Sequence, residues 1–306
     1  MNIHRTISPK QYIGLFAAVN IVLLVLITVF AARMLFFDSV FTNQKLYAYQ
    51  LEKLGTVNGV ETVLVGDSSL GNAIDAELFS RLTSTKTVNL ALTGIHGYAG
   101  SFNMIKKALR AYPVKNVVIV QSIDMIMRPV AYDGYLYTID SPADIEDLDR
   151  YEKGRLLAAF YNAVLSPVNL KAIYRHYRKT APGGDIIEND FVKQAGKIDI
   201  HRSVKPIEYV ANKDKLRFLA KIVALCRKNN INLLYVHGPI WEPISVSSED
   251  YREKIDDAIA STGIKLLTDR IVITDEDVGD SEDHVIPSAK AKYTALYAGL
   301  IKGFLR

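Results

Sequence analysis

The chain has 306 residues, of which 49% are hydrophobic, and it contains a single cysteine, Cys226. This composition excludes a disordered or collagen-like chain, and one cysteine excludes an internal disulfide and a cysteine-rich zinc site. Lysine and arginine number 37 against 33 acidic residues, a formal net charge of +4. Arg5, Lys10 and Arg33 lie in the first 37 positions without an acid, which leaves 34 basic and 33 acidic side chains elsewhere. The basic surplus therefore belongs to the N-terminal segment, and we expect no nucleic-acid partner.

Residues 11–32 form an uncharged, mostly apolar run of 22 residues. A helix of that length, at about 1.5 Å per residue, spans the roughly 30 Å hydrocarbon core of a membrane. A cleavable signal peptide is the alternative, but its apolar region is usually only about 7–15 residues long. We therefore predict a cytoplasmic tail over 1–10 and an uncleaved, single-pass anchor over 11–37. The positive-inside rule then places the N-terminus in the cytoplasm and the remaining chain on the periplasmic or extracytoplasmic side of the inner (plasma) membrane.

The elements beyond the anchor follow a regular order. The polar segment 38–58 predicts a juxtamembrane helix or stalk. Short apolar runs then alternate with helical segments, which predicts a parallel sheet covered by helices on both faces, in one domain over 59–306. The predicted strands are 62–65, 87–91, 116–120, 231–236 and a weaker one at 265–267 or 271–273. Two predicted helices end near Arg81 and Ala111, and two others span 213–228 and 289–304.

Between 129 and 212 the alternation stops. This segment contains two predicted helices, at 145–165 and 168–178, and a tyrosine-rich entry with Tyr132, Tyr135 and Tyr137. Because it follows the third strand, we expect a helical insertion at the ligand-binding edge of the sheet. It is either a lid or substrate-binding subdomain, or simple helical cover over the sheet edge.

In open parallel sheets, ligands bind at the carboxyl ends of the strands. The candidate positions are therefore 66–69, 93–96, 121–124 and 237–239. Ser68 directly follows the first strand and opens a helix, where its hydroxyl is exposed and its N–H can stabilise an oxyanion. Gly66 permits a sharp turn, and Asp67 can accept backbone hydrogens there. Gly-Asp-Ser is also ordinary turn and N-cap sequence. The sequence favours a phosphate-binding loop still less, because no Gly-Lys-Ser/Thr follows.

A serine nucleophile needs a base, and the chain has six histidines. Three are set aside: His4 is cytoplasmic, His176 lies in a basic helix, and His201 lies in the insertion. The remaining candidates are His96, His237 and His284. His284 stands in an acidic loop before the last predicted helix, where carboxylates would orient the imidazole and stabilise its protonated form. The alternative is a surface histidine in an acidic loop.

These blocks resemble the SGNH or GDSL-type hydrolase superfamily. Gly66-Asp67-Ser68 matches its nucleophile block, the Asn-Leu-Ala-Leu-Thr-Gly run at 89–94 looks like its glycine block, and Asp280…His284 is similar to its closing Asp-x-x-His block. The resemblance implies a flavodoxin-like, three-layer α/β/α fold. It also implies that Ser68 is the nucleophile, that the N–H groups of Ser68 and Gly94 form the oxyanion hole, and that His284 is the general base.

Two positions depart from the family pattern. The third block of the family is Gly-x-Asn-Asp, whose Asn donates to the oxyanion, but residues 121–124 here read Gln-Ser-Ile-Asp. Loss of one such donor costs about 10²–10³ in rate, unless Gln121 or Ser122 replaces it. Ser281 stands three residues before His284, so the acid is Asp280 or Asp283. We favour Asp280, because the residue directly before a histidine tends to point away from it.

Three further side chains at the strand ends are candidates for lining the substrate pocket: His96, Gln121 and His237. For each histidine, the alternative is a loop residue bonded to the backbone. We expect no cofactor and no metal, because acyl transfer through a serine needs neither.

Anchored, exported proteins of this resemblance add or remove acyl groups, most often acetyl, on surface polysaccharides, as in alginate acetylation and teichoic-acid D-alanylation. The resemblance implies a serine-dependent O-acyltransferase or carbohydrate esterase, working with a polytopic membrane acyltransferase. The tyrosines of the insertion would then stack on sugar rings. The alternatives are a non-catalytic accessory protein that binds glycan or scaffolds a membrane complex, and a soluble-type esterase that is merely anchored.

Overall fold

A computed structural model of the chain describes residues 8–36, 42–165, 187–188, 191–192, 194, 196–210 and 213–306. Most of the predicted cytoplasmic tail and the predicted helix at 168–178 lie outside these residues, and so do His4 and His176. The statements below concern the described residues.

Two helices precede the sheet. Helix α1 spans Pro9–Phe36, and its part from Pro9 to Phe30 is long and apolar enough to cross a membrane. Helix α2 spans Thr42–Thr56, within the predicted juxtamembrane helix or stalk. Leu46 and Gln50 of α2 are buried, and the Gln50 amide donates a 2.7 Å hydrogen bond to the carbonyl oxygen of Ala91. Helix α2 is therefore packed on the domain.

Five parallel strands form the central sheet. They are β1 (Thr62–Gly66), β2 (Thr87–Asn89), β3 (Asn116–Gln121), β4 (Asn232–His237) and β5 (Lys265–Leu267), in the order β2-β1-β3-β4-β5. Every residue of β1 and β3 is buried, which is why these strands read as continuous runs of β-branched and other apolar residues. The predicted α/β fold with a flavodoxin-like strand order is confirmed.

Helices cover both faces of the sheet and give three layers. On one side α5 (Gly97–Ala111), α8 (Lys213–Lys228) and α10 (Glu249–Ala260) pack side by side. On the other, α11 (Lys290–Ile301) packs on α3 (Ser68–Ala73) and α4 (Ala76–Thr83). Three shorter or peripheral helices complete the set: α6 (Tyr132–Leu136), α7 (Arg150–Leu165) and α9 (Glu242–Ser247).

Register brings the predicted strand ends to one edge. Gly66 of β1 pairs with Val120 of β3, and Gln121 of β3 pairs with His237 of β4. The N–H of Leu92 donates to the carbonyl oxygen of Gly66 at 3.0 Å, although β2 itself ends at Asn89 and not at the predicted residue 91. The residues that follow β1, β2, β3 and β4 therefore share the carboxyl edge of the sheet.

Several element boundaries differ from the prediction. The single helix predicted to end near Arg81 is divided into α3 and α4, because Asp75 accepts a hydrogen bond from the N–H of Leu78 and caps a new helix. Both alternatives for the last strand form strands: β5 joins the sheet, whereas Val272–Ile273 pairs with Ile240–Trp241.

The first part of the insertion is helical cover over α5 and α8. The ring of Tyr135 is fully buried and lies 5.7 Å from that of Phe218 in α8. Asp144 is also buried and accepts hydrogen bonds from Lys107 and Arg110 of α5, at 2.6 and 3.0 Å. Tyr132 is 7% exposed, so the expectation that Tyr132 and Tyr135 stack on sugar rings is wrong.

Candidate active site

The turn from β1 into α3 places Ser68 at the edge of the sheet. Asp67 is the N-cap of α3, and its carboxylate accepts a 3.0 Å hydrogen bond from the N–H of Ser69. Ser68 is the first residue of the helix and is half-buried. A side chain at Gly66 would overlap the carbonyl oxygen of Val120, and its Cβ would lie 2.8 Å from the carbonyl carbon. Glycine is therefore required by the close approach of β3, since its φ angle is not positive.

Asp67 ties this turn to the end of β3. One carboxylate oxygen accepts hydrogen bonds from the N–H and hydroxyl of Ser69, at 3.0 and 2.5 Å. The other accepts from the N–H and hydroxyl of Ser122, at 3.0 and 2.6 Å. Burial and the negative charge of Asp283 raise the pKa of Asp67, and the hydrogen bonds from Ser122 and from the Ser69 hydroxyl oppose that rise. The carboxylate thus fixes the Ser68 backbone relative to the neighbouring strand.

Ser68, His284 and Asp280 form a continuous hydrogen-bonded chain. The Nε2 atom of His284 lies 2.8 Å from the Ser68 hydroxyl oxygen, and its Nδ1 atom lies 2.8 Å from a carboxylate oxygen of Asp280. Because a carboxylate only accepts, Nδ1–H donates to Asp280 and Nε2 accepts the hydroxyl hydrogen of Ser68. This is the nucleophile, base and acid geometry of a serine-dependent acyl-transfer site. The structure brings together residues that lie 216 positions apart.

Asp283 lies on the other side of the imidazole. One of its carboxylate oxygens is 3.9 Å from Nε2 of His284, and it accepts a hydrogen bond from the Ser281 hydroxyl. Of the two carboxylates left open by the sequence, Asp280 is the one that bonds Nδ1, whereas Asp283 contributes charge on the side of Ser68.

Opposing effects set the pKa of His284. Burial lowers it, whereas the hydrogen bond to Asp280 and the negative charges of Asp283, Asp280 and Asp67 raise it. The pKa of His284 lies above its ordinary value, because three carboxylates favour the protonated ring. His284 is therefore a stronger base than an unperturbed histidine.

The loop that carries His284 is held by contacts within itself. Val278 and Val285 form an isolated antiparallel bridge, and the N–H of Gly279 donates to the carbonyl oxygen of His284 at 2.7 Å. The N–H of His284 donates in turn to the carbonyl oxygen of Ser281 at 3.2 Å. The five-residue turn from Asp280 to His284 thus places both side chains on the same side of the loop, as the Asp-x-x-x-His spacing permits.

The returning part of the insertion braces the same loop. The Gln194 amide donates to the carbonyl oxygen of Val285 at 2.7 Å, and the N–H of Ile198 donates to that of Gly279 at 2.7 Å. Arg202 forms an ion pair with Glu282. Sequence reasoning missed these contacts, because no motif marks them and the segments are more than 75 positions apart. We name residues 194 and 196–202 the brace segment.

The backbone N–H groups of Ser68 and Gly94 belong to two neighbouring turns. The N–H of Leu92, two residues before Gly94, donates to the carbonyl oxygen of Gly66, two residues before Ser68. Within the part of the chain that the structure describes, neither the N–H of Ser68 nor that of Gly94 has a protein acceptor. A backbone N–H without a protein acceptor can donate to a negatively charged oxygen.

The third block does not supply the expected further donor. The Gln121 amide donates to the Ser101 hydroxyl at 3.0 Å, and the Gln121 side chain is fully buried. Both donors of Ser122 are bonded to Asp67. The expectation that Gln121 or Ser122 replaces the missing Asn is therefore wrong, and so is the expectation that Gln121 lines a substrate pocket.

His96 and His237 lie in the interior and do not line the site. Each is 2% exposed. His96 Nδ1 contacts the backbone and hydroxyl of Thr93, and burial lowers the pKa of His96 to about 4. His237 Nε2 lies 2.6 Å from Asp256, which accepts a 2.8 Å hydrogen bond from Arg270. Burial also lowers the pKa of His237. For His96 the backbone-bonded alternative is the one observed.

A cleft of about 560 Å³ lies away from these residues. It is formed by the segment 206–209 and the adjoining ends of α9 and α10, including Tyr209 and Tyr251, and none of the three hydrogen-bonded site residues lines it. Among the described residues, no group of three or more His, Cys, Asp or Glu side chains has the arrangement of a metal site.

Comparison with known proteins gives little. No protein-family model and no curated protein matches the chain. A solved structure that resembles it is that of an acetyl xylan esterase (Est2A) from the rumen bacterium Butyrivibrio proteoclasticus, at 10% sequence identity and a TM-score of 0.36. The match covers 81% of this chain and 64% of that one, so the chain spans less than two thirds of the esterase chain.

Proposed function

We propose that this protein is a membrane-anchored, extracytoplasmic esterase or O-acyltransferase of the SGNH type, acting on O-acyl groups, chiefly acetyl, of a cell-surface polysaccharide. The observation that carries the proposal is the chain of 2.8 Å contacts from Ser68 through His284 to Asp280. It lies at the carboxyl edge of a parallel sheet, where ligands bind in such folds.

The geometry supports a two-step reaction. His284 Nε2 removes the hydroxyl proton of Ser68 while the serine oxygen attacks the ester carbonyl. The carbonyl oxygen becomes an oxyanion next to the N–H groups of Ser68 and Gly94. His284 then gives the proton to the leaving sugar oxygen, which leaves an acyl-serine. In the second step water or a sugar hydroxyl loses its proton to His284 and attacks the acyl-serine. His284 then returns the proton to the Ser68 oxygen as the acyl–oxygen bond breaks.

The N-terminal helix supports attachment to the inner membrane. Arg5 and Lys10 before the apolar run favour a cytoplasmic N-terminus and an extracytoplasmic domain over 59–306. A polytopic acyltransferase that passes acyl groups across the membrane would supply Ser68 from the membrane side.

A non-catalytic accessory role, binding glycan or organising a membrane complex, is the second candidate. The observation that favours it is the loss of side-chain donors at the third block, since Gln121 and Ser122 are bonded elsewhere. The two functions differ in whether Ser68 forms a covalent adduct.

The test uses the full chain purified in detergent. A fluorophosphonate probe measures nucleophilic serine, and p-nitrophenyl acetate measures turnover. We expect both signals in the wild type and in Ser261→Ala, whose hydroxyl bonds only a helix-end carbonyl. Ser68→Ala should lose labelling entirely and lower turnover by about 10³-fold or more. Labelling or turnover that is independent of Ser68 would refute the catalytic proposal. An added oligosaccharide acceptor then separates transfer, which yields acetylated sugar, from hydrolysis, which yields acetate.

A further inference from the structure

Arg128 lies in the turn after β3 and is held by a carboxylate of that turn. Its Nε and Nη2 atoms donate to the two carboxylate oxygens of Asp124, at 2.9 and 2.8 Å. A guanidinium bonded through two nitrogens to one carboxylate has a fixed plane and direction. The Arg128 side chain is 39% exposed, so a substrate can reach it.

The third nitrogen of the guanidinium, Nη1, lies against Gly94. A Cβ atom at Gly94 would overlap Nη1 of Arg128 and would lie 3.6 Å from its central carbon, Cζ. The cation therefore occupies the space where any other residue at position 94 would have a side chain. Gly94 lies two residues after Leu92, whose N–H bonds Gly66 in the turn that carries Ser68.

The positive charge of Arg128 interacts with three carboxylates of the site. Burial lowers the pKa of Arg128, but Asp124, Asp67 and Asp283 together raise it above its ordinary value. Asp67 and Asp283 flank Ser68 and His284, so the guanidinium is electrostatically coupled to the reacting groups. Without a cation, an oxyanion formed here would face these two carboxylates with only two neutral donors.

We propose that Nη1 of Arg128 is a third donor to the oxyanion, and that Asp124 positions it. The inference rests on the proposed function, because it assigns a further catalytic residue to the same acyl transfer. A charged donor stabilises a developing oxyanion more strongly than a neutral amide and offsets the nearby carboxylates. It does so without forming or breaking a bond.

The test compares Arg128→Gln with the wild type in the full, detergent-purified chain. We expect kcat for p-nitrophenyl acetate to fall by about 10²–10³-fold while KM changes by less than about threefold, as for the loss of an oxyanion donor. An alkyl boronic acid, which forms a negatively charged tetrahedral adduct with the serine, should bind Arg128→Gln weaker by a similar factor. Asp124→Asn, which loosens the guanidinium, should lower kcat by about tenfold.

The outcomes separate the inference from the proposed function. If Ser68→Ala abolishes turnover but Arg128→Gln retains kcat within about threefold, the inference is wrong and the proposed function stands. An effect confined to KM would overturn it as well, because it would assign Arg128 to ground-state binding. If Arg128→Gln melts more than about 5 °C below the wild type, Arg128→Lys takes its place. The lysine keeps the charge but cannot bond Asp124 through two nitrogens and also reach Gly94, so at least a tenfold loss of kcat is expected.

Discussion

Replacing the two acidic side chains next to His284 tests which of them serves as the acid. Asp280 contacts Nδ1 of the ring at 2.8 Å, whereas Asp283 lies 3.9 Å from Nε2. Asp280→Asn and Asp283→Asn each remove one negative charge and keep the shape of the side chain. They form a matched pair that differs only in the side of the imidazole on which the charge is lost.

The expected loss follows from the distances. Two unit charges 2.8 Å apart attract by about 1.5 kcal/mol at a dielectric constant of about 80 and by about 6 kcal/mol at about 20. The side chains of His284 and Asp280 are 18% and 30% exposed, so the environment is intermediate. Asp280→Asn should therefore destabilise the imidazolium by about 2–4 kcal/mol, which lowers kcat by about 30- to 1,000-fold.

Asp283 should matter much less. At 3.9 Å it also attracts the imidazolium, but it lies on the Nε2 side, where the serine oxygen and the oxyanion become negative. Attraction to one charge and repulsion of the other oppose each other in the same transition state. We therefore expect Asp283→Asn to change kcat by less than about fivefold.

The assay is steady-state turnover of p-nitrophenyl acetate from pH 5 to 9, with fluorophosphonate labelling as a check on Ser68. Asp280→Asn should also move the acidic limb of the profile to lower pH, because it removes a hydrogen bond and a charge that raise the pKa of His284. A larger loss of kcat in Asp283→Asn than in Asp280→Asn would refute the assignment of the acid.

Three further predictions follow from the same contacts. Because its pKa is raised, the His284 ring stays protonated, and inactive as a base, to a higher pH than an ordinary histidine. The kcat/KM of the wild type should therefore be half-maximal above pH ~6.5. A midpoint below that value would contradict the argument that nearby carboxylates raise the pKa. Gly66→Ala should lower the free energy of unfolding by about 3 kcal/mol, since the new methyl group overlaps Val120. Gly299, in helix α11, has open space around it, so Gly299→Ala should raise the free energy of unfolding by about 0.5–1 kcal/mol. Equal urea midpoints for the two variants would refute this difference. Gln194→Ala should lower kcat by about 10-fold through loosening of the His284 loop, and an unchanged kcat would show that the brace segment is dispensable.

The sheet could be predicted because its strands are buried on both faces. The centres of β1 and β3, residues 63–65 and 117–120, are entirely apolar, and such runs between helical segments indicate parallel strands. That regularity also places Ser68 at the carboxyl edge. The pairing of Ser68 with His284 depended on resemblance, since no local pattern connects a turn after β1 to a loop before α11.

Contacts between distant segments could not be predicted. The tyrosines at 132 and 135 have the composition of a sugar-binding surface, yet burial against α5 and α8 decides their role. The brace segment likewise bonds the His284 loop through one side-chain amide, one backbone N–H and the Arg202–Glu282 ion pair, none of which a sequence motif marks. Gln121 and Ser122 were misjudged because the sequence shows that a residue can donate, but not to which acceptor.

Three carboxylates close to one serine repel one another and any oxyanion formed there. Each of them is therefore stabilised by its own hydrogen-bond donors. Asp67 accepts four hydrogen bonds from Ser69 and Ser122, Asp280 accepts the Nδ1 hydrogen, and Asp283 accepts the Ser281 hydroxyl. Their summed charge raises the pKa of His284, which strengthens the base but disfavours an oxyanion a few ångströms away. A cation beside Gly94 resolves this conflict, because it stabilises the oxyanion without contacting the imidazole. Under the proposed function, the lack of a free side-chain donor at Gln121 and Ser122 and the presence of Arg128 have a common electrostatic explanation.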